Sequence, residues 1–343
     1  MNGSLRPLRR KQGVKEHILF VLKNFIRMVL LLAAVSMVAF FLVSVSPIDP
    51  LQANIGQAAL GSMSAEQIAK LEAYWGVGVP PVERYLSWAS DFLKGDLGVS
   101  LLYRHPVTEV LAVKLQNSLW LMALAWVISG VTGFVLGMIS GLKKGSFTDK
   151  VIKGYSLLIA STPAFWLALV LLMVFAVWLK VLPIGLSVPI GAEAGGVTAM
   201  DRIRHAILPA LTLSITGISN ITLHTREKMI DIMESDYVLF ARARGESTFE
   251  IVKNHALRNV ILPAITLQFA SISEIFGGSV LVEQIFSYPG LGQAAVAAGT
   301  GSDVPLLLGI TMISATIVFG GNFIANILYG VVDPRIRRGG KRS

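Results

Sequence analysis

The chain has 343 residues, 53% of them hydrophobic and 15% charged, with a formal net charge of +9. A mean hydropathy of +0.64 lies beyond that of a soluble globular domain and places most of the chain in lipid. Cysteine is absent, which excludes disulfides and thiolate metal centres; the basic residues flank apolar runs instead of forming one patch, which sets nucleic-acid binding aside.

A helix that crosses the hydrocarbon core needs about 20 residues with few or no charges. Charge-free windows of that kind run over 28–48, 115–142, 154–179, 206–223 and 304–332, and a further window, 260–282, carries Glu274 alone. The expected fold is therefore an all-α polytopic membrane protein with six transmembrane helices. Lys and Arg near span ends stay cytoplasmic, and 22 of the 30 fall on one side: in the N-terminal 1–27, at 143–153, at 226–258 and in the tail 333–343. Both termini are expected inside. The first apolar run is longer than a signal-peptide core and ends at Ser44-Val-Ser-Pro47, a poor cleavage site, so it reads as a retained helix.

Residues 49–114 form a segment too long for a simple connection and are expected to be a small external subdomain. Ser64 and Gln67 have capping-box spacing and open a helix through about Tyr74, and Pro80-Pro81 opens a second through Trp88 toward Lys94. Gly95-Asp-Leu-Gly98 then turns the chain into a core of five helices over 115–332. In its first helix Gly130, Gly133, Gly137 and Gly141 recur three or four apart. Small residues at that spacing let helix backbones approach closely.

The inner stretch 225–259 is predicted to fold into a knob. Ser235 or Asp236 caps a short helix bearing Tyr237, Phe240 and Ala241, Gly245 supplies a left-handed residue at its end, and Ser247 with Glu250 caps a second helix to about His255. A charge at Ala241 is expected to disrupt a partner contact. From the residues alone, an amphipathic hairpin lying on lipid headgroups is the other reading.

The chain shows no chemistry of its own. Gly141-Leu-Lys-Lys-Gly145-Ser has the wrong spacing for a phosphate loop. His205 and His224 bracket one span about 28 Å apart, and the histidines form no pair with metal-ligand spacing. No catalytic residue, metal site or bound cofactor is expected. An ion-coupled carrier remains open as an alternative because Glu274, about 21 Å from the inner surface, sits within a span. Glu274 and Gln268, which precedes it by about one and a half turns, are candidate pathway residues.

These stretches together resemble one family. Asp236-Tyr-Val-Leu-Phe-Ala-Arg-Ala-Arg-Gly245 followed by His255-Ala-Leu-Arg-Asn259 is similar to the signature of dipeptide, oligopeptide and nickel permeases of ATP-binding-cassette importers. Gly95-Asp-Leu-Gly-Val-Ser100, Ser161-Thr-Pro-Ala-Phe165, Leu182-Pro-Ile-Gly185, Glu283-Gln-Ile-Phe-Ser-Tyr-Pro-Gly-Leu-Gly292, Asp303-Val-Pro305 and Asp333-Pro-Arg335 fit the same group. The long external segment resembles that of the first of the paired permeases. Where the generic loop opens Glu-Ala-Ala, this chain has Leu239, Phe240 and Ala241, and Glu274 departs from the pattern. The resemblance implies a type I importer permease fold in the bacterial cytoplasmic membrane. It implies a second homologous permease, two ATPase subunits that carry ATP and Mg, and an external solute-binding protein as partners. The coupling role falls on Asp236, Tyr237, Phe240, Ala241, Arg244, Gly245, Phe249, His255 and Leu257. Peptides are the expected cargo, with nickel or a metal chelate as the alternative.

Overall fold

The computed structural model describes residues 5–45, 63–75, 79–189, 191 and 197–332; the tail with Asp333 lies outside them. The described chain is helical, with one isolated bridge, Val99 to Pro106. In chain order the helices are α1 (Leu5–Val45), α2 (Ala65–Trp75), α3 (Pro81–Leu93), α4 (Val107–Leu142), α5 (Phe147–Ala160) and α6 (Ala164–Leu171), which runs on as a π-helix over Leu172–Trp178. They continue with α7 (Ala199–Met233), α8 (Asp236–Ala243), α9 (Thr248–Ile251), α10 (Leu257–Ala270), α11 (Ile272–Ile285), α12 (Leu291–Thr300) and α13 (Val304–Val332).

Four helices are individually long and apolar enough to cross a membrane, within α1, α4, α7 and α13, and two bent pairs bring the number to six when each counts as one span. The window 154–179 departs from a straight span. Its pair, α5 with α6, is bent by 108°. Pro163 explains the break: it lacks an N–H and disfavours helical torsions at Thr162. The hydroxyls of Ser161 and Thr162 turn back onto the carbonyls of Leu157 and Leu158 at 2.9 and 2.8 Å. The pair carrying window 260–282 bends by 45° between Ala270 and Ile272. The window 206–223 also underestimates its helix, because α7 extends with charged turns at both ends.

Packing centres on α4 against α7. A Cβ on Gly137 would stand 2.5 Å from Thr225 Cβ, and one on Gly141 2.6 Å from Met229 Cβ, so only hydrogen fits. Gly133 meets Ile221 in the same way, whereas Gly130 faces the amide of Gln268. Asp149 clamps the inner end: it is 4% exposed, accepts Arg226 Nε at 2.6 Å and Nη2 at 2.8 Å, and also accepts Ser140 Oγ at 2.6 Å and the Gly145 N–H. One carboxylate thereby ties α4, α5 and α7.

The two short helices of segment 49–114 form where the sequence predicts them. Ser64 N–H donates to Gln67 Oε1 at 2.9 Å, and Gln67 N–H donates to Ser64 Oγ at 3.3 Å. Helix α3 starts with proline in its first turn and seats Tyr85 and Trp88 on Phe40 of α1, with Tyr85 and Ser36 hydroxyls 2.8 Å apart.

Candidate functional site

The knob is built from local signals and then fused to the membrane helices. Ser235 occupies the N-cap of α8, but its hydroxyl donates to the Ile232 carbonyl of α7, so no side-chain cap forms. Asp236 lies in the first turn. At the other end Gly245 has φ +87°, and the Glu246 N–H closes onto the Ala241 carbonyl at 3.2 Å. The Ser247 and Glu250 capping box is complete in both directions. Beyond it, α9 does not end in a loop. A π-turn over Val252–Ala256 joins it to α10, so the second knob helix and the following span form one rod.

Met229 and Ile232 of α7 pack with Val238, Ala241, Ile251, Ala256 and Val260 in one buried cluster, and Phe134 and Met138 of α4 close over it. Ala241 is 3% exposed. Its methyl belongs to the seam that holds the knob on its own chain, beside Val238 and with Met229 and Ile232 of α7 in the same cluster. The outward surface is carried instead by Phe240, 66% exposed, Phe249, 75% exposed, and the half-exposed Tyr237. Leu257, Asp236, Arg244 and Gly245 are exposed as well. His255 Nε2 lies 2.9 Å from Glu246 Oε2, and Arg244 Nη2 approaches the other oxygen, Oε1, at 3.9 Å. Glu246 was not singled out by the sequence motifs, although its position directly after Gly245 places it beside the start of the second helix.

The membrane candidates separate. Gln268 is buried; its Nε2 donates to the Trp126 carbonyl at 2.5 Å and its own carbonyl accepts Trp126 Nε1 at 2.7 Å. Glu274 is exposed in the first turn of α11 and makes no hydrogen bond or ion pair among the described residues. Its neighbour Ser273 reaches Asn322 of α13 at 3.2 Å.

Two buried carboxylates at the other end of the helices escaped the sequence reading of roles. Glu283 accepts Ser118 Oγ at 2.7 Å and the N–H groups of Gly292 and Gln293 at 2.7 and 3.2 Å, fixing the start of α12 to α4 and α11. Asp303 accepts Ser100 Oγ at 2.5 Å and the N–H groups of Leu102 and Leu306 at 3.0 and 3.1 Å. A carboxylate close in sequence to a Pro-Gly turn and a helix start was the available signal, since such N–H groups need acceptors. Gly185 joins the same rim: its carbonyl lies 2.7 Å from His205 Nδ1, and the Leu186 N–H donates to Phe286 O at 2.9 Å.

A family model described as binding-protein-dependent transport system inner membrane component matches residues 133–338, from the glycine stripe through the knob to the tail. The chain belongs to this family. It is a multi-pass inner-membrane protein. Among its relatives, the oligopeptide transport system permease protein AppB of Bacillus subtilis is 33% identical over 318 residues, covering 92% of this chain and 98% of the relative. The di/tripeptide transport system permease protein DppB of Pseudomonas aeruginosa is 32% identical over 321 residues, covering 88% and 94%. The dipeptide transport system permease protein DppB of Escherichia coli K12 is 30% identical over 338 residues, covering 93% and 98%. The match to whole relatives includes residues of segment 49–114 as well as the core.

Proposed function

We propose that the chain is one of two permease subunits of an ATP-driven importer and encloses half of a pathway for di- or oligopeptides. The knob carries this reading: it turns outward a pair of phenylalanines, Phe240 on α8 and Phe249 on the rod that is continuous with a span. Exposed apolar residues of this kind, on a segment the charge pattern places inside, suit docking in a groove of an ATPase subunit. ATP and Mg are held by two such subunits, and a solute-binding protein delivers cargo from outside. Closure of the ATPases draws the knobs together and tips the bundles between two packed arrangements. The names of the relatives support peptide over a nickel or metal-chelate cargo. Family membership favours this machinery over an ion-coupled carrier.

Within the pathway, Glu274 is the residue assigned to meet charged cargo, because an ionisable side chain in a span is costly unless it faces water or a partner. Reconstitution with the second permease, both ATPases and the binding protein tests the reading. ATP-dependent uptake of tripeptide is the expected result, and Glu274→Gln changes the relative rates for cationic and anionic tripeptides. Uptake driven by a proton gradient without the ATPases, or confined to nickel chelates, would overturn it.

A further inference from the structure

A groove of about 690 Å³ opens between α4 and the N-terminal turns of α7, with Tyr288 from the α11–α12 connection at its base. That volume falls in the range of small-molecule sites, about 300–1,000 Å³. One wall is apolar, with Leu119 and the half-exposed indole of Trp120, and Gln116 and Asn117 add amides. Arg202 is the one charged residue in the lining. Its side chain makes no hydrogen bond or ion pair among the described residues. The adjacent Asp201 does not neutralise it by direct contact, because that carboxylate is taken up in capping α7, accepting Thr198 Oγ1 at 2.6 Å and the Thr198 N–H at 3.0 Å.

Tyr288 supplies the second polar element. It is 2% exposed, and its hydroxyl has no hydrogen-bond partner among the described residues. Burial, with the Glu283 carboxylate nearby, pushes its pKa up to about 12, so the phenol keeps its proton. Glu283 itself is engaged by Ser118, Gly292 and Gln293. The base of the groove thus holds a buried neutral donor, and Arg202 belongs to the same lining.

We infer that this groove is a reception site for the C-terminal end of a short peptide, Arg202 and Tyr288 holding the carboxylate while Leu119 and Trp120 take the last side chain. The inference rests on the peptide-import reading above. A guanidinium beside a neutral hydroxyl fits a carboxylate and leaves a C-terminal amide without its charge partner. The apolar wall suits a hydrophobic terminal residue, and the amide of Gln116 and the side-chain oxygen of Asn117, whose Nδ2 donates to Pro289 O at 3.0 Å, suit the peptide backbone.

The test compares Ala-Ala-Phe with its C-terminal amide, each supplied on preloaded binding protein to the complete transporter in proteoliposomes. The ratio of acid to amide kcat/KM in a variant, divided by that of the wild type, cancels any preference of the binding protein. In Arg202→Gln this ratio falls about tenfold, the size of one charge-assisted hydrogen bond. Arg202→Lys recovers part of it, and Tyr288→Phe lowers it about threefold. Arg204→Gln, a charge change outside the groove lining, leaves it at the wild-type value. An unchanged ratio in Arg202→Gln and Tyr288→Phe would overturn the site while leaving peptide import standing. Loss of the second permease from Arg202→Gln complexes would also overturn it, since the cation would then belong to a subunit interface. Failure of the wild type to take up either peptide on ATP would instead remove the import reading, and the site with it.

Discussion

Asp149 and Arg226 form the most enclosed ion pair of the inner end, with side chains 4% and 15% exposed. Removing one partner leaves a desolvated charge, whereas replacing both with apolar residues of similar size is far less damaging. Asp149→Ala is expected to cost about 3 kcal/mol, and Asp149→Leu combined with Arg226→Met to recover most of it. Thermal unfolding of the detergent-solubilised complex measures both. Equal losses in the single and double variants would mean that the Ser140 and Gly145 hydrogen bonds, not the ion pair, hold the clamp. None of this was visible in sequence, because Asp149 and Arg226 stand 77 residues apart and nothing local marks them as partners. Glu283 and Asp303 escaped for the same reason: their hydroxyl partners Ser118 and Ser100 lie 165 and 203 residues away. Ala241 shows a different limit. The period of α8 identifies an apolar face, but only the position of α7 decides which residue of that face is covered.

At the scale of elements, caps and turns were legible because their chemistry is contained in four or five residues. The Ser64 and Ser247 boxes, the proline start of α3 and the left-handed Gly245 all appear as read. Helix direction was not legible: hydropathy counts apolar residues without knowing where they point, so the 108° break at Pro163 was hidden inside a uniform window, and the fusion of α9 to α10 runs across the charged residues before window 260–282 begins. This organisation separates two kinds of knob variant. Phe240→Asp and Phe249→Asp alter exposed side chains and are expected to leave stability within about 0.5 kcal/mol while releasing the ATPases on co-purification. Ala241→Asp instead places a carboxylate in the buried seam and should lower stability by several kcal/mol. A Cβ at Gly245 meets no neighbour within 4 Å, so the main cost of Gly245→Val is the left-handed torsion, about 1 kcal/mol or more. Thermal unfolding and ATPase co-purification together distinguish the classes; retention of the ATPases by both phenylalanine variants would move the docking surface elsewhere.

For the whole molecule, the charge distribution is the main guide to orientation, and the absence of cysteine makes it directly measurable. Ser90→Cys on α3 and Ser247→Cys in the knob are both exposed positions on opposite sides in the expected arrangement. A membrane-impermeant maleimide should label Ser90→Cys in intact spheroplasts and Ser247→Cys only after permeabilisation. The reverse pattern would invert the topology and place the knob away from any cytoplasmic ATPase. The apolar windows and their order were readable in the sequence because hydrophobic length and charge asymmetry act over the whole chain, independent of the detailed path of each helix, and the family was readable from its motifs.

The continuous rod from Thr248 to Ala270 has a mechanical corollary. Its 23 residues make a lever about 34 Å long at the usual helical rise. With the fulcrum at the 45° elbow before α11, drawing the knob sideways by about 6 Å tilts the rod by about 10°. A point one third of the way from the elbow then travels only about 2 Å. The chain is geared down: a broad stroke at the inner surface becomes a small displacement at depth, with a proportionate gain in force near the elbow.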